Sequence, residues 1–328
     1  MKKLYYSLFL SIIMLTFISC FHEYPDETEA VDPTEVQINL EVSIDFATNP
    51  FIKQTRTDDI GFRRRFIVDV YKDDDISKPV ERKEIIFDDI KSDGESFRLP
   101  VLLMLKPLNY KIVVWTDYIK SGTDKDYFYD TTTLSDVYCT SPYQGNTAYK
   151  DVFYATEELN LLEYNGKWNQ KLTLFLQFER AVSPIRLLAT DYENFVEKHG
   201  SDIAENAKIT LNYGFYIPKG FNALTGLPQR SELGTSFTVP LQDATQVDEG
   251  LQIVSDYIFV GEEETFAVVD IEITDKDGNL LNQVKNIKVP YKKDYLTTIK
   301  NSFLTSEQSS GIDVDVEFDE DIVIDLDK

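Results

Sequence analysis

From Val36 the chain alternates with a period of two: Val36, Ile38, Leu40, Val42, Ile44 and Phe46 are separated by Gln37, Asn39, Glu41, Ser43 and Asp45. Successive side chains of a strand point to opposite faces, so the pattern predicts a strand with one face on a core and one in water. Similar runs recur at 66–71, 84–87, 110–118 and 172–178, then at 208–217, 237–241, 266–274 and 284–289. Turn-forming residues separate them, among them Asp73–Asp75, Ser92-Asp93-Gly94 and Asp277-Gly278. The Asp-Gly pair predicts a two-residue hairpin whose central positions both need positive φ. Many short strands and few helices restrict the fold to an all-β class of sandwiches or barrels. At ~100–200 residues per domain, a chain of 328 residues predicts two domains. The expected boundary lies near Lys167–Lys171, giving domains over 36–169 and 170–328. Hairpins at 66–85 and 267–287 read alike, each an apolar strand, an acidic turn and a basic-flecked return, which favours related architectures.

One short helix is predicted, in the second domain. Thr190 with Glu193 forms a capping box and Gly200 suits the position just past the end, so the helix spans 191–199. His199 then sits in the last turn, where positive charge complements the helix dipole. His22, the other of the two histidines, lies ahead of the folded body.

The leader fixes the compartment. Lys2 and Lys3 precede an uncharged apolar run from Leu4 to Ile18, and acidic polar sequence follows at once. The run falls short of the ~20 residues a membrane-spanning helix needs, so residues 1–19 are expected to be a removable export signal. Phe17-Ile18-Ser19-Cys20 resembles the lipobox of bacterial lipoproteins, with Phe17 where most carry Leu. That resemblance implies that Cys20 becomes the acylated N-terminus, with palmitate among its chains. Each buried methylene contributes ~0.8 kcal/mol and two membrane signals suffice for stable anchoring, so such an anchor would be permanent. Residues 20–35, with two prolines and a run of acids, read as an extended tether. Acids so near the lipid resemble the tag that sends some Bacteroidetes lipoproteins to the outer face of the outer membrane; alternatively they only keep the linker extended. Cys139, then the sole remaining thiol, is expected to be an apolar filler.

Composition removes most chemistry. A formal charge of −24 argues against nucleic acid, whose phosphates need a basic surface. Two His and two Cys cannot build a zinc ribbon, an iron–sulfur cluster or a disulfide scaffold. No Gly-x-Gly or Gly-x-Ser-x-Gly occurs, so no dinucleotide fingerprint or serine elbow is present. No cofactor, no metal and no enzymatic activity are expected. The feature that hints at a ligand is a cluster of Tyr127, Phe128, Tyr129, Tyr138, Tyr143, Tyr149 and Tyr154. Tyr127 and Tyr129 could stack on sugar faces; alternatively these rings pack beneath a long loop.

At 312–326 Ile312, Val314, Val316, Phe318, Ile322, Ile324 and Leu326 share one parity and acids dominate the other. Three readings stand. The stretch is one or two strands whose acidic face blocks edge-to-edge aggregation, or a donor strand that fills another subunit's groove, or a calcium site. Alternate carboxylates on a flat strand point in parallel and make a poor cage.

Several segments together resemble the fimbrillin-like lipoproteins of the Bacteroidales, which include major and minor fimbrial subunits. They are Leu105-Lys106-Pro107 with Tyr110, Val114–Tyr118, Asp126–Tyr129, Gly145-Asn146 and Asp151-Val152-Phe153 in the first half. In the second they are Tyr216-Ile217-Pro218, Phe221–Gly226, Asp275–Gly278, Val289–Lys293, Asn301–Thr305 and Glu317-Phe318-Asp319. The branch most resembled is an uncharacterised two-domain one. The resemblance implies two tandem transthyretin-like β-sandwiches, a role in adhesion or fimbrial assembly, and partners among fimbrial subunits or ligands on a host or bacterial surface. In true subunits a protease cuts after an arginine, freeing a strand so that a neighbour's strand can enter. The candidates here are Arg56, in a polar stretch, and the Arg63–Arg65 triplet.

Overall fold

The alternation that opens the body forms strand β1 (Val36–Ser43), which buries Val36, Ile38, Leu40 and Val42 and turns the residues between them outward. The computed structural model describes residues 32–43, 61–87, 97–248, 250–306 and 322–326. β1 lies between β4 (Phe97–Leu105), which is antiparallel to it, and β9 (Lys171–Gln177), which is parallel. Facing this sheet is a five-stranded one. Its order is β10 (Glu179–Arg180), β8 (Phe153–Asn160), β5 (Asn109–Lys120), β2 (Phe62–Lys72), β3 (Glu81–Phe87). Leu40, Leu103, Val68, Ile112 and Leu176 meet in the core between the two sheets.

The second sandwich repeats the plan. One sheet runs β16 (Thr245–Val247), β17 (Gly250–Phe259), β11 (Val182–Ala189), β20 (Thr297–Asn301), β21 (Ile322–Asp325). The other runs β15 (Ser236–Pro240), β12 (Lys208–Tyr213), β18 (Thr265–Thr274), β19 (Leu280–Tyr291). Leu187, Leu211, Ile258, Ile271 and Ile299 fill the core between them. The hairpins expected at 66–85 and 267–287 are present as β2–β3 and β18–β19.

A fifth sheet joins the halves. Its order is β14 (Leu227–Glu232), β13 (Ile217–Asn222), β7 (Val137–Cys139), β6 (Tyr129–Asp130), and β13 pairs with β7 at Gly220–Tyr138 and Phe221–Val137. Beneath it lies a third core. It combines Ile67, Val113 and Trp115 from the back of the first sandwich with Tyr257 and Phe259 from the back of the second. Both faces of β2 and β5 are therefore covered, which explains why Phe66–Val68 and Ile112–Trp115 are unbroken apolar runs.

Four expectations need correction. The boundary expected at 169/170 falls ahead of two strands that pair with the first sandwich, β9 with β1 and β10 with β8. The run at 208–217 is two strands in different sheets, broken at Gly214. The helix is followed by a second: α1 (Tyr192–His199) and α2 (Ser201–Asn206), separated by Gly200 at φ 85°. Ahead of α1 the Asp191 carboxylate accepts from the Leu304 and Thr305 amides, and the Thr190 hydroxyl meets that of Ser302. Finally, Asp277-Gly278 is part of a longer turn. Gly278 alone has positive φ, while Asp275 accepts from the amides of Asp277 and Asn279.

Candidate functional site

The tyrosine-rich segment between β5 and β8 supplies the seam between the sandwiches rather than an open platform. Tyr129 is 1 % exposed, and its hydroxyl donates to the Lys150 carbonyl at 2.7 Å. Tyr127 is half-buried, edge-on to Phe128 at 4.7 Å, tilted against Phe62 at 5.5 Å, with Lys120 Nζ 4.8 Å from its ring. Tyr138 donates to Asp130 at 2.8 Å and carries the Arg230 guanidinium on its face. Tyr149 packs on Phe62, and Tyr154 donates to Glu179 at 3.0 Å. Of the two rings expected to be able to stack on a sugar, Tyr129 presents no face to solvent and Tyr127 is half-buried among Phe62, Phe128 and Lys120.

At the centre of the seam is a group of polar side chains that sequence reasoning missed. Asp256, on β17, is wholly buried and accepts four hydrogen bonds. Lys150 Nζ and the Tyr257 amide donate to Oδ1 at 2.6 and 2.8 Å, and the Tyr143 and Tyr213 hydroxyls donate to Oδ2 at 2.7 and 2.8 Å. Lys150 Nζ also donates to the Tyr143 hydroxyl at 2.8 Å. Burial, then the charge of Asp256, pushes the hydroxyls of Tyr143 and Tyr213 well above the usual phenol range, so both stay protonated donors. A carboxylate deprived of water needs such full satisfaction. The loop that carries Lys150 is held along β17 by Asn146, whose amide donates to the Ser255 carbonyl and whose Oδ1 accepts from the Ser255 amide. Gly145 lies against the Phe237 ring, where a Cβ would collide, so only glycine lets the loop approach. Cys139 is nearby, its thiol pushed up to about 11 by burial.

Two more charge groups hold the first sandwich. Arg65, 2 % exposed, donates to Asp117 at 2.7 and 3.0 Å and to Asp126 at 2.7 Å. Arg180 Nε meets Asp151 at 2.9 Å, while Arg64 donates to the Asp151 carbonyl at 3.1 Å and lies 3.8 Å from the Tyr118 ring centre. The expectation that Arg63–Arg65 could be a cleavage site is therefore corrected. These residues lie in β2, all three paired with β5 and Arg64 and Arg65 also with β3, and Arg64 and Arg65 are buried. Arg56 and Cys20 fall outside the described residues.

His199, in the last turn of α1, is held against carrying the helix-end charge that its position suggests. Burial first, then Lys198, holds its pKa below the usual value, and its ring lies 4.8 Å from Phe195.

The C-terminal stretch reaches an edge. β21 pairs in parallel with β20, placing Ile324 beside Ile299. Ile324 is 7 % exposed and, with Leu326, packs on the second core, whereas Val323 is half exposed. The expected parity holds over these residues; 312–321 lie outside the described ones. Among the described residues no group of three His, Cys, Asp or Glu is placed to hold a metal ion. No described helix is long and apolar enough to cross a membrane.

A family model described as a family of unknown function, DUF6562, matches residues 28–327. No curated protein matches the chain. Solved structures with loosely similar folds include the fimbrial anchor protein Mfa2 from Porphyromonas gingivalis. It has 13 % identity over 76 % of this chain and 81 % of that one, with a TM-score of 0.38. A fimbrial assembly protein from Parabacteroides distasonis has 12 % identity over 81 % and 90 %, with a TM-score of 0.39.

Proposed function

The chain belongs to the DUF6562 family of unknown function, and on that premise we propose that it is a non-enzymatic, lipid-anchored protein of the bacterial outer surface. Its role in this reading is adhesion or fimbrial assembly, with fimbrial subunits or a surface ligand as partners. Anchoring rests on Lys2-Lys3, the apolar run 4–18 and Cys20, followed at once by an acidic tether that ends where β1 begins. The observation that carries the assembly half is β21. It is a four-residue strand, last in the chain, seated at the rim of a sheet through two core-facing side chains. A short edge strand leaves a strand-sized slot when it departs, and such an edge is what β-augmentation uses.

Two measurements test this. Palmitate labelling is expected for the wild-type chain and is expected to vanish in Cys20→Ala; label that persists in the variant would contradict the anchor. Polymer ladders on gels are expected from the wild-type chain but not from one truncated after Asp321. A wild-type chain that stays strictly monomeric, with or without trypsin, would contradict assembly.

A further inference from the structure

Lys150 and Asp256 stand 106 residues apart in sequence, one in each half of the molecule, and touch at 2.6 Å with side chains 2 % and 0 % exposed. Among the described residues Lys150 is the only buried lysine; the other buried ion pairs use arginine. Arginine's guanidinium is permanently charged and unreactive, whereas a lysine amine becomes a nucleophile once it gives up a proton. We propose that Lys150 and Asp256 condense into an amide, a covalent crosslink between the two sandwiches. This goes beyond the surface role proposed above and stands or falls independently of it.

The hydrogen bonds at the seam supply each part of the reaction. In water an ammonium and a carboxylate do not condense. Here both side chains are buried and held 2.6 Å apart. The Tyr143 hydroxyl accepts from Nζ and donates to Oδ2, so it bridges the nucleophile to the oxygen that must leave. A proton passes from the ammonium to Tyr143 as Tyr143 gives its own to Oδ2, leaving a neutral amine beside a carboxylic acid. The amine lone pair then forms the N–Cγ bond. Charge gathers on Oδ1, where the Tyr257 amide donates from 2.8 Å and serves as the oxyanion donor. A second proton follows the same route to Oδ2, the Cγ–Oδ2 bond breaks, and one water leaves. Tyr213 holds Oδ2 throughout at 2.8 Å. Nothing is oxidised or reduced, and the balance is ammonium plus carboxylate giving amide plus water. Holding the two groups in contact replaces a bimolecular encounter, an advantage equivalent to an effective concentration of about 10⁵–10⁸ M in well-oriented systems.

Mass spectrometry of the purified full chain decides the matter. The expected result is a mass lower by one water than the sequence requires, with a branched tryptic peptide joining the Lys150 and Asp256 segments. Lys150→Arg is expected to keep its full mass and to yield only linear peptides. Tyr143→Phe, which keeps the ring but removes the relay, is expected to show a mixture of linked and unlinked chains. A wild-type chain of full mass with no branched peptide would overturn the crosslink, whatever the variants do. Complete linkage in Tyr143→Phe would overturn the relay.

Discussion

At the residue scale, buried charges carry much of the specificity of this fold. Removing one partner of a buried pair leaves the other unsolvated, at a cost of about 3–5 kcal/mol. Asp151→Ala removes the carboxylate that the buried Arg180 meets and is expected to lower stability by about that amount in denaturant titration. A surface change such as Glu263→Ala, remote from these groups, should cost less than ~0.5 kcal/mol. The pair between the halves at Glu179 and Lys293 is more exposed and responds to pH. Its hydrogen bond from Lys293 holds the Glu179 carboxyl below its ordinary value of 4.5, against the opposing effect of burial. The folded form therefore binds this proton less readily than the unfolded one. The resulting stability is present above pH 4.5 and is lost as the pH falls below it. Melting temperature against pH should fall less steeply on the acid side in Glu179→Gln than in the wild type. Very little of this was legible beforehand. The choice between a stacking and a packed Tyr129 stayed open because nothing local distinguishes a tyrosine under a neighbouring sheet from one in water. Lys150 and Asp256 are brought together only by the tertiary fold.

At the element scale, alternation was a reliable guide where one face of a strand meets water. β1 follows it residue by residue, as does β18 from Ala267 onward, and in β21 Ile324 is buried beside an exposed Val323. It gave no warning of parallel neighbours such as β1 and β9, which no turn connects. It also ran across Gly214, since β12 and β13 are both apolar but belong to different sheets. Nor did it reveal that Asp191, at the start of α1, accepts from backbone amides more than 110 residues away. For β21 the two faces predict opposite outcomes. Ile324→Ala removes a buried side chain and should cost about 2–5 kcal/mol. Val323→Ala, on the exposed face, should stay within ~0.5 kcal/mol. Equal effects from the two would show that β21 is not seated as described.

At the scale of the whole molecule, the sequence pointed to two sandwiches and missed what unites them. The third core draws on Trp115, Phe221 and Tyr257, which lie in three separate stretches of the chain. A seam of that kind couples the halves, so thermal unfolding is expected as one cooperative transition with calorimetric and van't Hoff enthalpies in agreement. Phe221→Ala, which empties the middle of the seam, should cost about 3–5 kcal/mol and split that transition in two. The acidity that first excluded nucleic acid is placed on outer faces, as with Glu41 on β1 and Glu272 on β18. That suits a β-protein with open sheet edges, where charge blocks edge-to-edge pairing. The central claim is that this molecule is held on the outside of a cell by its N-terminus. Its most direct test is the N-terminal residue of the mature protein recovered from intact cells by surface labelling. An acylated Cys20 on surface-labelled protein is the result predicted here; an unmodified N-terminus, or protein that labels only after the cells are broken, would contradict it.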